Sequence, residues 1–335
     1  MMLTTVVGNY PKIPNRPRPA RLRAAIARLE RGEIGEDELR RVEDEVTVEV
    51  IQEQAAAGVD IITDGQIRWE DDQTYFARRL AGFSIDGLIR YFDTNTYYRQ
   101  PVVTGPIQWR QPIAVEDYRF AAAHSPRPVK ALVTGPYTLA ALSANEHYGS
   151  FGELVLALAG ELRQEVLALE KAGAPIIQVN EPAILKRKDD FPLLQRALER
   201  MMDGVRAEAH LYTWFGDIDG LYPQILELPF STIGLDFVMG GANYEVIRRA
   251  PFTSTGGGFA SGEKRLGLGI IDARNTRLET VKQIVERIRR VSDTVPPDRL
   301  YVNPSCGLEY LPREVAQAKL ARMAEGVRRA QEVLG

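Results

Sequence analysis

Gly152-Glu153-Leu154-Val155-Leu156-Ala157-Leu158-Ala159-Gly160-Glu161-Leu162-Arg163-Gln164-Glu165-Val166-Leu167-Ala168-Leu169-Glu170-Lys171-Ala172 is followed, three residues on, by Ile176-Ile177-Gln178-Val179-Asn180-Glu181-Pro182. The first stretch is a long amphipathic segment and reads as a helix. The second is a short apolar run that stops at a polar pair, which reads as a buried strand opening into a loop. This unit repeats along the chain. Strand candidates fall at residues 3–7, 60–63, 129–134, 176–179, 207–212, 232–235, 266–271 and 300–302. Helix candidates between them include residues 36–57, 152–172, 280–292 and 312–333, with Pro312 at a first-turn position of the last. Eight β-then-α units in one chain predict an α/β fold, a single (β/α)8 TIM barrel spanning residues 1–335.

One insertion interrupts the alternation. Residues 84–111 are rich in Tyr, Phe, Thr and Arg around Arg90-Tyr91-Phe92-Asp93-Thr94-Asn95-Thr96-Tyr97-Tyr98. They read as a β-hairpin inserted after the second unit and arching over the barrel mouth, as a lid, a dimer contact or a docking surface. Asn15-Arg16-Pro17-Arg18-Pro19 reads as a short rigid connector. Thr255-Gly256-Gly257-Gly258-Phe259 reads as a flexible loop without the Lys-Ser or Lys-Thr of a phosphate-binding loop.

Composition narrows the class. Hydrophobic residues make up 44% and charged residues 26%, so the chain can bury a sizeable core. A formal net charge of −3, with Lys and Arg spread over helical segments, speaks against nucleic acid. No basic leader or spanning apolar stretch is seen, which argues against a membrane, and a single cysteine suits a reducing cytoplasm.

In a barrel of this kind chemistry sits where strands end. Those positions hold Gly8 and Asn9, Asp64 and Gln66, Thr134 and Gly135, Asn180 and Glu181, His210 and Tyr212, Asp236, Asp272 and Arg274, then Asn303 and Cys306. His210, Asp236 and Cys306 close the fifth, sixth and eighth strands, and imidazole, carboxylate and thiolate together suit zinc with one open position. Tyr212 and Asp272 are the catalytic candidates, Tyr212 as a further ligand or a donor to a substrate thiolate. Gln66 and Arg68 offer donors for a substrate carboxylate. Glu181 reads equally as a helix-starting acid or as a holder of a cationic group.

Taken in order, these motifs resemble a known family. Thr4-Thr5-Val6-Val7-Gly8-Asn9-Tyr10-Pro11, Ile62-Thr63-Asp64-Gly65-Gln66-Ile67-Arg68, Val133-Thr134-Gly135-Pro136, Gln178-Val179-Asn180-Glu181-Pro182-Ala183, Gly269-Ile270-Ile271-Asp272 and Val302-Asn303-Pro304-Ser305-Cys306-Gly307-Leu308 carry the likeness. The chain resembles the catalytic barrel of cobalamin-independent methionine synthase, most closely its single-barrel core forms. The resemblance implies methyl transfer to the zinc-activated thiol of homocysteine, from methyltetrahydrofolate or from methylcobalamin, the latter possible on a corrinoid protein. It implies that Gly8, Asn9, Gln66 and Asn180 hold the amino acid part of the substrate.

It also implies zinc ligands from a His-x-Cys pattern, a Glu and a final Cys, matched here to His210-Leu211-Tyr212, Asp236 and Cys306. Tyr212 stands in place of a thiolate, Asp236 in place of Glu, and Asn180 in place of Asp. Loss of the carboxylate at Asn180 would cost an ammonium-bearing substrate roughly 2–5 kcal/mol if that pair were desolvated. Two other readings remain: a barrel that binds a small molecule without methyl transfer, and a metal-free uroporphyrinogen decarboxylase-like enzyme drawing on Arg16, Arg18, Arg21 and Arg23.

Overall fold

The computed structural model describes residues 1–14, 20–254 and 262–334. The connector at 15–19 and the loop at 255–259 lie outside the described residues. Seven strands form a parallel sheet in the spatial order Leu3–Thr4, Leu300–Pro304, Arg265–Ile271, Thr232–Asp236, Glu208–Tyr212, Ile176–Asn180 and Ala131–Thr134. Parallel bridges from Thr5 to Ile61 and from Ile62 to Val129 link the two outer strands through an eighth position. The α/β barrel read from the sequence is therefore the observed fold; six of the eight expected strands lie within two residues of their expected bounds, the first shortens to Leu3–Thr4, and the expected strand at 60–63 is present only as the two isolated bridges.

The helices form for visible reasons. Ser150 caps Phe151–Lys171 by accepting from the Glu153 N–H at 3.1 Å. Leu154, Leu158, Leu162, Val166 and Leu169 recur at steps of three and four and are buried on the barrel side. Each contributes up to about 1.5–3 kcal/mol of apolar burial. Thr280 and Gln283 make a reciprocal capping box at the start of Val281–Ser292. The last helix, Arg313–Leu334, begins directly after Pro312. Among the described residues no helix is long and apolar enough to cross a membrane.

The insertion is a hairpin of Leu80–Arg90 and Tyr97–Trp109, starting a little before residue 84. It follows the second barrel strand and the short helix Asp72–Ala77. Its root is tied to the helix behind it. Buried Glu165 accepts from the Trp109 indole at 2.8 Å and from the Ile113 and Ala114 N–H groups at 2.7 and 2.8 Å. Its tip lies over the mouth, with Tyr91 and Phe92 at ring distances of 6.3 and 5.9 Å from Phe215, which follows the fifth strand. The hairpin is part of the roof of the barrel.

Candidate active site at the barrel mouth

Strand register decides which side chains meet. On the fifth strand His210 pairs with Thr232 of the sixth, whereas Asp236 lies at the level of Gly269. His210 is thus four residues below Asp236, roughly 13 Å at 3.3 Å per residue. Its ring points toward the strand starts, where Nε2 meets the Glu208 carboxylate at 2.9 Å and the ring lies 5.1 Å from Tyr301. Burial, above all, pulls its pKa down to about 4. His210, Asp236 and Cys306 do not converge, and among the described residues no group of three metal-binding side chains forms. The sequence placed His210 at a strand end, but the strand runs on past it.

Side chains alternate along a strand, so Tyr212 and Trp214 share the inward face with His210. Tyr212 does not reach the mouth. It lies across the lumen in space left by two glycines: a Cβ at Gly234 would fall 2.3 Å from its Cδ1, and one at Gly267 would fall 2.7 Å from its hydroxyl. The hydroxyl donates to Asn303 at 3.4 Å, and burial raises its pKa far above the ordinary phenol range. Tyr212 fills the lumen, and its hydroxyl is paired with Asn303 rather than with Asp236 or Cys306. Past the end of the fifth strand Phe215 meets Asp236, and the preceding Trp214 is buried and hydrogen-bonded with Tyr91.

Asp236 and Cys306 do lie near the mouth. Asp236 accepts backbone N–H groups from Phe215 at 3.1 Å, Val238 at 2.8 Å and Met239 at 3.0 Å. Cys306 is buried, donates weakly to the Gly307 carbonyl at 3.4 Å, and is held as a neutral thiol by burial and then by the charges of Glu309 and Asp236. Among the described residues Asp236 and Cys306 are joined by no third His, Cys, Asp or Glu positioned to hold a metal ion with them.

The substrate-binding expectations divide. Asn9 Nδ2 and Gln66 Nε2 both donate to Asp72 Oδ1, at 2.9 and 2.8 Å. Gln66 takes a left-handed backbone conformation, φ 52°, after Gly65 at φ 70°, and this turn sends its side chain against Gly8. A Cβ at Gly8 would fall 2.4 Å from Gln66 Oε1. Gly8, Asn9 and Gln66 are therefore brought together. Asn180 ends its strand and its Oδ1 accepts from Gln178 at 2.7 Å. Arg68 is not in the site: it turns outward to Asp117 at 2.9 Å and to Asp44, clamping helices to the barrel.

Glu181 accepts the Tyr137 and Thr138 N–H groups at 2.9 and 2.7 Å, so it caps the neighbouring helix Pro136–Ala141 rather than one of its own. Burial raises its pKa to about 7. Asp272 accepts from the Arg274 N–H at 2.9 Å, which is turn chemistry at the rim. Arg21 pairs with Glu45 at 2.6 Å and with Glu49 on an outer helix.

What the sequence did not single out is the cavity itself. About 320 Å³ opens at the mouth beside the first, second and eighth strands, lined by Asn9, Lys12, Asp72, Gln73, Tyr91 and Glu309 among others. Two buried polar atoms there, Gln73 Nε2 and Glu309 Oε2, have no hydrogen-bond partner among the described residues. Burial, then the charge of Asp72, lifts the Glu309 pKa to about 8. The signal was present: Glu309 directly follows the Cys306-Gly307-Leu308 motif, and Asp72 closes an acidic run after Trp69. A larger groove of about 710 Å³ lies at the opposite end, around Glu208 and Arg265 where strands begin, away from the end that carries barrel chemistry.

Residues 2–213 and 257–329 match the family model described as cobalamin-independent synthase, catalytic domain. The chain belongs to this family of methyltransferases. It is 34% identical to the methionine synthase of Saccharolobus solfataricus over 338 aligned residues, covering all of this chain and 96% of that one. It is also 34% identical to the methionine synthase of Sulfurisphaera tokodaii, over 99% of this chain and 93% of the other. Among solved structures, a B12-independent methionine synthase from a Shewanella species, in complex with selenomethionine, superposes with a TM-score of 0.85 at 23% identity, covering 100% of this chain and 99% of that one. A Listeria monocytogenes protein described as a putative vitamin-B12 independent methionine synthase gives 0.75 at 18% identity, again over 100% and 99%. At these identities the structural likeness bears on the fold alone.

Proposed function

We propose that this chain, as one barrel domain, transfers a methyl group to the thiol of homocysteine or a related small molecule, without the family's zinc site. The observation that carries the reading is the mouth cavity, where Asn9, Gln66 and Asp72 form one hydrogen-bonded group and Glu309 keeps an unpartnered oxygen. Family membership supplies the reaction class.

A thiol at an ordinary pKa near 8.5 must lose its proton before it attacks. Glu309, at about 8, is matched to that task. The acceptor sulfur then bonds the methyl carbon, the donor keeps the electron pair of the broken bond, and the proton rests on Glu309. Positioning does most of the remaining work. Offering homocysteine and other thiols with methylcobalamin, methyltetrahydrofolate or a methylsulfonium, and following the thioether by mass spectrometry, tests the reading. No thioether above the enzyme-free control with any pair refutes it.

A second reading is favoured by Trp214 and by the saturated carboxylate of Asp236: a barrel that binds its ligand without transferring a group. It predicts a thermal shift with one of these thiols or donors and no product.

A further inference from the structure

The mouth cavity is richer in carboxyl groups and aromatic surface than a neutral thiol requires. Among the described residues Glu70, Asp71, Asp72 and Glu309 line it beside one basic side chain, Lys12, whose ammonium already donates to the Trp69 carbonyl. Two of its walls, the Tyr91 and Tyr98 rings, stand at 87° with centroids 6.3 Å apart. Tyr98 spends its hydroxyl on the Leu142 carbonyl at 2.8 Å and so offers the cavity ring surface, while the Tyr91 hydroxyl accepts from the Trp214 indole near Asp72 and Glu309. Gln73, 1% exposed, has a side-chain amide nitrogen with no hydrogen-bond partner among the described residues.

Perpendicular aromatic walls beside carboxylates suit a cation whose charge is spread over methyl groups. A primary ammonium is served less well, because it carries three N–H donors that each require an acceptor. Among the described residues Glu309 Oε2 is the cavity's one buried acceptor left without a partner. An onium group needs no hydrogen bond and loses nothing in this setting.

We propose that the mouth cavity binds the onium group, trimethylammonium or methylsulfonium, of a small zwitterion whose carboxylate takes the free N–H of Gln73. Its consequence rests on the methyl-transfer reading above: a methylsulfonium held here is the methyl donor. The methyl carbon bonds the acceptor sulfur, the carbon–sulfur bond of the donor breaks, and its electron pair stays on the departing neutral thioether. The proton of the acceptor thiol goes to Glu309.

Isothermal titration of the full chain at about pH 8.5, where Glu309 is largely ionised, compares trimethylammonioacetate and dimethylsulfonioacetate with a tert-butyl carboxylate of the same shape. Both onium probes are expected to bind about tenfold or more tighter than the neutral isostere. Glu309→Gln and Tyr91→Leu are each expected to erase most of that preference, with thermal melts confirming that the variants fold. Should Tyr91→Leu not fold, the wild-type ratio and the isosteric Glu309→Gln decide alone. Equal affinity for the onium and tert-butyl probes, or a preference untouched by Glu309→Gln, overturns the proposal. Added thiol separates the two onium sources, since the sulfonium yields a thioether and the ammonium only binds. Selective onium binding with no thioether from the sulfonium or any other donor leaves this proposal standing and removes the methyl-transfer reading. Thioether from another donor without onium selectivity does the reverse.

Discussion

Replacing Glu309 by Gln should stabilise the protein in alkaline solution and leave it nearly unchanged in mild acid. The folded carboxyl titrates at about 8 against an ordinary 4.5, because burial and then the Asp72 charge oppose its ionisation. Below pH 4.5 both folded and unfolded chains hold the proton and the group contributes nothing. Between 4.5 and 8 the unfolded chain releases the proton while the folded chain keeps it, so stability falls as pH rises. At 1.36 kcal/mol for each pH step, the gap of about 3.5 sets a ceiling of about 5 kcal/mol. Glu309 is partly exposed as a residue although its Oε2 is sealed, so screening leaves an expected gain of about 2 kcal/mol. Urea unfolding of wild type and Glu309→Gln at about pH 5 and about pH 8.5 measures it. An equal difference at both pH values would refute the reasoning.

Three other outcomes can be checked directly. Gly234→Ala drives a methyl group to 2.3 Å from the Tyr212 ring and should cost about 1–3 kcal/mol, recovered in large part by Tyr212→Leu in the same chain; a denaturant midpoint equal to wild type would show that the ring is free to move. Arg68→Ala strands Asp117, 4% exposed, and should cost about 3–5 kcal/mol in chemical unfolding without changing ligand affinity at the mouth; lost affinity at retained stability would return Arg68 to the substrate site. Incubation with zinc followed by dialysis should leave far less than one equivalent by elemental analysis. A full equivalent that disappears in Cys306→Ser would reinstate the metal.

The barrel was legible because its elements are locally coded. Short β-branched runs such as Ile176-Ile177-Gln178-Val179 alternate with helices whose apolar residues recur every three or four positions. The glycine and amide groups of Gly8, Asn9 and Gln66 were also legible, since turn residues at strand ends stay where the sequence puts them. His210 was misplaced for a reason local sequence does not hold. Which residue of one strand reaches the level of Asp236 is set by register across the sheet, and that register pairs His210 with Thr232, four residues short of Asp236. Arg68 failed differently. A guanidinium after a strand serves a ligand carboxylate or two helix carboxylates equally well, and only packing shows that Asp44 and Asp117 claim it. Gln73 and Glu309 were passed over because a missing partner is visible only in three dimensions.

The Tyr212 ring, laid across the lumen between Gly234 and Gly267, gives the barrel two compartments instead of one. Beneath it lie His210 Nδ1, Lys130 Nζ, Gln178 Oε1 and Thr232 Oγ1, buried atoms with no hydrogen-bond partner among the described residues, a setting that calls for internal water. Above it lies the cavity with Asp72 and Glu309. The phenol ring therefore stands between two sets of polar groups, so a substitution among the lower set is expected to change stability more than the surroundings of a bound ligand at the mouth.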